Sequence, residues 1–138
     1  MATRSSDIAR EYPQGDREDY PVIASDIIYE GSAVGENGSG YARPLVAADP
    51  FLGFAVSKAD NSAGAAGDKD VTVRVKGSVK VAVVGATAIT ANDRPLVYAS
   101  DDDTFTLTST SNTEIGVLRR WISGTTCVVD FDATMTKV

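Results

Sequence analysis

The chain has no histidine and a single cysteine among its 138 residues. A cysteine nucleophile needs a neighbouring base, and the usual one is missing. One cysteine also leaves no intrachain disulfide to staple the fold. Cys127 lies in "CVVDFDA", on the same strand face as Val129 and Phe131, and is expected to be an inert core thiol. No apolar run approaches the length of a membrane span. The N-terminal "MATRSSDIAREYPQGDREDY" has no apolar core, so it does not read as a secretory signal. A protein made and used in a cytoplasm, or released from it by lysis, is expected.

Positive charge is scarce as well. The net charge is −6, and residues 1–30 carry seven acids against three arginines. Residues 31–138 carry twelve acids and ten bases, so the body is nearly neutral and the N-terminal segment is acidic. Such a balance gives no strong attraction for nucleic acid.

What is present is strand after strand. In "VTVRVKGSVKVAVVG", residues 71–85, Val71, Val73, Val75, Val79, Val81 and Val83 fall on odd positions with Thr72, Arg74, Lys76, Ser78 and Lys80 between them, and the parity survives Gly77. That glycine leaves room for a bend, which lets one strand serve both halves of a curved sheet. "SAVGENGSGYARPLV" reads as a hairpin around Asn37-Gly38, a dipeptide that accepts positive φ. "DIIYEG", "FLGFAVSKA", "PLVYAS", "FTLTST", "IGVLRRWI" and "CVVDFDA" complete a series punctuated by Gly, Ser, Thr, Asp and Asn. No long helix is evident. The length suits one domain, and the spacing predicts an all-β fold, a small β-sandwich or β-barrel.

A weak internal repeat runs through it. The order "AVG…GYARPLV…LGFAVSKA…VTVRV" parallels "LVYAS…FTLTST…IGVLRRWI…CVVDF", with Leu52-Gly53 matching Ile115-Gly116. The main difference is loop length, "DNSAGAAGDKD" against "SGTT". Two similar β units facing each other would make one closed β domain.

Residues 1–25 differ from the rest, being polar, charged and broken by Pro13 and Pro21. They are read as an extended N-terminal arm ahead of a single β domain, 26–138. A frayed tail and an arm that orders against a neighbour both fit such a composition. Ile8, Tyr12, Tyr20 and Ile23 are the apolar points with which an arm would dock.

Catalytic signatures are absent. "DDDT" at 101–104 puts three adjacent Asp where a hairpin must turn, and the calcium-loop spacing is missing, so a solvated turn is expected and no metal. "GENGSG" and "GAAGDKD" match neither dinucleotide nor P-loop fingerprints. Arg74, Lys76 and Lys80 project opposite the valine face of the long strand. They form either a solvated face that deters edge pairing or a basic strip that meets an acidic partner. Arg119 and Trp121 fall on one strand face, with Arg120 and Ile122 on the other. Trp beside Arg suits an interface hot spot, and equally a core Trp beside a surface Arg.

Taken in order, "DPFLGFAVSKA", "VTVRVKGSVKVAV", "NDRPLVYASDDDTFTLTS" and "EIGVLRRWISGTTCVVDFDA" resemble the capsid cement, or head decoration, proteins of tailed bacteriophages. The matching elements are Leu52-Gly53-Phe54-Ala55, Val71 to Val83 with Gly77, Leu96-Val97-Tyr98, Ile115-Gly116-Val117 and Cys127 to Phe131. The charged N-terminal segment departs from the more apolar one common in that family.

The resemblance implies a structural virion protein on the outer surface of the assembled head, where it stabilises contacts between major capsid subunits. It implies a homotrimer, no enzymatic activity, no cofactor, and no nucleic acid or membrane partner. The expected contact residues with the shell or a neighbouring subunit are Ile8, Tyr12, Tyr20, Arg74, Lys76 and Lys80. The competing reading is a non-catalytic glycan- or host-surface-binding β module, in which Trp121 with Tyr29, Tyr41 or Tyr98 would supply stacking platforms.

Overall fold

A computed structural model describes residues 5–7, 9 and 15–134. The fold is all-β, as the spacing predicts. The strands are β1 (Arg17–Pro21), β2 (Asp26–Ile28), β3 (Ala33–Glu36), β4 (Ala42–Pro44), β5 (Phe51–Ala55), β6 (Ala59–Asn61) and β7 (Asp70–Arg74). They continue with β8 (Lys76–Val84), β9 (Leu96–Ala99), β10 (Phe105–Thr106), β11 (Thr113–Ser123) and β12 (Thr126–Asp132). One short 3-10 helix, Thr90–Asp93, precedes β9.

The alternating run 71–84 becomes two strands rather than one. β7 joins a five-stranded sheet of order β1-β7-β5-β3-β4, and β8 joins a closed barrel of order β10-β8-β12-β11-β9. The valine parity holds across the break: Val71, Val73, Val75 and Val83 are buried, while Lys76, Ser78, Lys80 and Ala82 are exposed. Gly77 follows the break at φ +147, where a side chain would be strained.

The weak repeat is a structural one. In the first unit, residues 15–74, Ala33 pairs with Phe54, Val34 with Gly53 and Gly35 with Phe51, so Leu52 is bulged. In the second, residues 75–134, Leu96 pairs with Val117, Val97 with Gly116 and Tyr98 with Glu114, so Ile115 is bulged. Each residue of the second set lies 63 positions after its counterpart. Glu36 opposite Ala42 is matched by Ala99 opposite Phe105. A Cβ on Gly53 would collide with the Arg74 carbonyl, and one on Gly116 with the Asp130 carbonyl, at the same place in each sheet.

Closure follows the same plan in both units. The barrel of the second unit closes where β8 runs parallel to β10, Val83 beside Phe105 and Val84 beside Thr106. The first sheet meets itself at one parallel bridge, Val22 to Ala42. Val22 N–H donates to Lys69 C=O and Val83 N–H to Thr125 C=O, each just before the last strand of its unit.

Both interiors are apolar. Val22, Val34, Ala55, Val71 and Val73 fill the first, joined by Ile28 and Ala59 from the two-stranded β2–β6 ribbon. Val83, Val97, Leu118, Cys127 and Val129 fill the second. Asn61, 1 % exposed, clips the long β6–β7 loop down, its amide N–H groups donating to the carbonyls of Ile23 and Ala65.

The units are joined by the outer face of the first and one end of the second. Phe54 meets Phe131 edge-to-face at 4.8 Å and lies 5.7 Å from Phe105, and Phe51 packs on Phe131. Ala33 N–H donates to Asp102 C=O, Val46 bridges to Asp101, and the Thr113 hydroxyl donates to Asp49 C=O. Asp49 is also held by a two-pronged contact from Arg43, at 2.9 and 2.6 Å. The "DDDT" turn is therefore half docked: Asp101 and Asp103 are exposed, but Asp102 is half-buried at the joint.

The expected boundary between arm 1–25 and body 26–138 needs correction. β1 pairs with β7 along its whole length, Arg17 opposite Arg74 through Pro21 opposite Asp70. Val22 is fully buried. The reason lies in the repeat, since β1 supplies to the first unit the strand that β8 supplies to the second. Tyr20 and Ile23 pack on this chain's own core. Burial, aided by the charge of Glu18, raises the Tyr20 phenol pKa. Ile8 and Tyr12 lie outside the described residues.

Candidate functional site

β8, β12 and β11 are neighbours in the barrel of the second unit, and their outer surface gathers the bases of that unit. Lys80 pairs opposite Val128, and Val128 opposite Arg120, so the two cations flank one valine. The β11–β12 register slips between Leu118 and Arg120. A bulge puts two successive residues against one partner and breaks strict alternation. Arg119 and Arg120 are accordingly both exposed, where alternation alone assigns them to opposite faces.

Trp121 is half-buried. Its ring packs against the barrel core and its Nε1–H donates to Gly124 C=O at 2.8 Å, which fixes the tip of the β11–β12 hairpin. Beside it is an open cleft of 340 Å³ lined by Arg94, Arg119, Arg120 and Trp121, with Asn92, Ala88 and Ala91. Arg94 caps the 3-10 helix at φ +49, its N–H donating to Ala91 C=O.

These cations are little committed. Arg119 lies 3.8 Å from Asp130, with both side chains more than half exposed, a geometry worth little in water. Its Nη1 also donates to the Ser78 hydroxyl at 3.2 Å. Among the described residues, Lys76, Lys80, Arg94 and Arg120 form no ion pair.

Arg74 behaves differently and leaves the expected Arg74–Lys76–Lys80 strip. It sits in the other sheet and is paired with Asp16 at 2.8 Å. Lys76 and Lys80 remain exposed on β8. Arg94 and Arg120 are members that strand alternation did not assign. Their one legible signal is that residues 75–134 hold only five bases, and four of them meet on this surface.

Such a face can hold carboxylates or other anionic groups by charge-assisted hydrogen bonds, with arginine offering a planar fork of donors. Aromatic platforms are dispersed instead. Tyr29 is exposed with Lys58 Nζ 5.4 Å from its ring centroid, and it lines a separate cleft with Glu30, Asp102 and Asp103. Tyr41 and Tyr98 line neither cleft. The Cys127 thiol is buried and its pKa pushed up by that burial. Among the described residues, no group of three or more Cys, Asp or Glu is placed to hold a metal ion, and no helix is long and apolar enough to cross a membrane.

The molecule is thus a tandem of two five-stranded β units, one a closed barrel, with a basic face on the second. No family model matches the chain, and no curated protein or solved structure is significantly similar to it.

Proposed function

We propose that this chain is a structural virion protein, a capsid cement or decoration protein that binds the outer surface of an assembled phage head. It would bridge adjacent major capsid subunits, as a homotrimer, without catalysis or cofactor. The observation that carries the reading is the basic face of Lys80, Arg94, Arg119 and Arg120, of which only Arg119 has an ion-pair partner among the described residues, on an otherwise acidic chain. The order of strand motifs in which the sequence resembles cement proteins supports it, as does the doubled all-β body. A clip needs many weak contacts to a repeated surface and no chemistry. Binding only the assembled shell stabilises that state by mass action, and several linked copies add avidity.

Co-sedimentation with expanded, DNA-free shells of the parent phage tests this. Saturable binding at a fixed ratio to the capsid subunit is expected, and the double variant Lys80→Glu, Arg120→Glu should weaken it about tenfold or more through charge reversal. No saturable binding of the native chain would sink the cement role. Native binding that the double variant leaves unchanged would move the contact away from the basic face.

A further inference from the structure

We propose that the cleft beside Trp121 takes an extended, acidic segment of a partner protein, which adds as a strand to the open edge of β11 at residues 119–123. The inference deepens the basic-face reading, and rests on it for placing that segment in the capsid subunit.

The first unit shows the same strand position filled. There β5 pairs with β3, Ala33 opposite Phe54. The ladder runs on in the same register into β6 and β2, with Ile28 opposite Ala59, Ile27 opposite Asp60 and Asp26 opposite Asn61. In the second unit the ladder stops short. Leu96 lies opposite Val117, and Leu118 N–H donates to Pro95 C=O at 2.9 Å. Pro95 has no N–H to return. Arg94, at φ +49, lies at the turn of the chain, and the residues before it coil as the 3-10 helix. From Arg119 on, the strand pairing of β11 is with β12 alone. Among the described residues, no backbone hydrogen bond joins residues 119–123 to the helix segment. The edge that β2 covers in the first unit is therefore left open, and the 340 Å³ cleft lies between it and the helix residues Ala91 and Asn92.

An open strand edge offers main-chain donors and acceptors to an extended peptide, and the side chains around it choose the peptide. Three arginines line this cleft, and among the described residues only Arg119 has an ion-pair partner, the exposed Asp130. Arginine forks of this kind favour carboxylates. Ile89, at the start of the helix, is 78 % exposed and offers an apolar contact. A segment that mixes carboxylates with aliphatic side chains satisfies both. The strand that fills the equivalent place in the first unit reads "DII", which has that composition.

The test uses the full isotope-labelled chain without shells, followed by amide NMR. The probe is a synthetic peptide, ASDIIYE, the sequence of residues 24–30, blocked at both ends. Titration to millimolar peptide is expected to saturate, with shifts concentrated at residues 119–123. The double variant Arg94→Glu, Arg120→Glu, at two exposed positions, should weaken binding about tenfold or more at an unchanged thermal midpoint. Replacing the acids of the peptide by lysine should do the same. Alternate amides of an added strand face the ladder. N-methylating one alternate set of peptide amides should therefore abolish binding, and the other set should spare it. No saturable shift along β11, equal affinity for the lysine peptide, or two N-methylated peptides that bind alike would each overturn the proposal. Peptide binding by a chain that ignores shells would sink the cement role and leave the strand site standing. Shell binding by a chain that ignores the peptide would do the reverse.

Discussion

Position for position, the first unit and the second hold matching interiors: Val34 and Val97, Ala55 and Leu118, Val71 and Cys127, Val73 and Val129 are all buried. The outsides diverge. Where the first unit has Phe51, Phe54 and Leu45 under cover, the second has Glu114, Val117 and Thr108 facing outward. Between residues 31–55 and 94–118 only Val34/Val97 and Gly53/Gly116 are identical. Barrel geometry dictates what is small or apolar inside, and at Gly53 and Gly116 it forbids any side chain at all. It leaves the outside free. Exposed features present on one outside and missing from the other are therefore not needed by the β unit itself. The basic cleft is one of these: Arg94, Arg119 and Arg120 correspond to Gly31, Val56 and Ser57.

The sharpest way to break this comparison is to make the same change at both members of one outside pair. Phe54→Ala removes a ring that bridges the two cores, and about 3–5 kcal/mol of stability should go with it. Val117→Ala, at the corresponding position, should cost within about 0.5 kcal/mol of nothing in the monomer. Urea unfolding of both variants measures this, at a concentration low enough that self-association adds no stability. Equal losses would mean that the second outside is not a free surface.

A smaller effect is expected at the joint itself. Asp102 is held above its ordinary carboxylate pKa, first by burial and then by the charge of Asp101, while a hydrogen bond from Ser32 works the other way. Between the unfolded and the raised folded pKa, the native state binds more protons than the unfolded state. Stability due to this group therefore falls as pH rises through that window, and the cost is fully present above it. Asp102→Asn should raise the thermal midpoint modestly at neutral pH and give no gain below the ordinary carboxylate range. The corresponding residue of the first unit, Ser39, carries no carboxyl and serves as the flat control. A gain that persists unchanged into acid would remove the charge from the account.

Much of this architecture is legible in the residues. The valine alternation, the Asn-Gly turn and the match of Leu52-Gly53 to Ile115-Gly116 depend on local spacing, and local spacing is what a sequence displays. Three features are not local. The break at Val75 arises because β7 and β8 bind different partner strands, β5 and β12, far away along the chain. β1 reads "REDYP", with no apolar alternation, and becomes a strand only because β7 offers it an edge. Arg74 loses its place in the basic strip to Asp16, 58 residues earlier, an ion pair made only when β1 docks. The bulge at Arg119 likewise follows from pairing with β12, and it is what turns both arginines outward.

The smallest expected effect tests the matched interiors directly. Cys127 is fully buried at the position that Val71 occupies in the first unit. If the two interiors obey one geometry, the second should accept the first unit's residue. Cys127→Val should then cost less than about 1.5 kcal/mol, as volume-conserving core exchanges do. The native thiol, with its pKa raised by burial, should react with a soluble disulfide reagent only as fast as the barrel opens. The reciprocal Val71→Cys should yield a second thiol of comparable protection. A Cys127→Val loss as large as that of Phe54→Ala would show that the two units need different fillings. The match between them would then be one of topology alone.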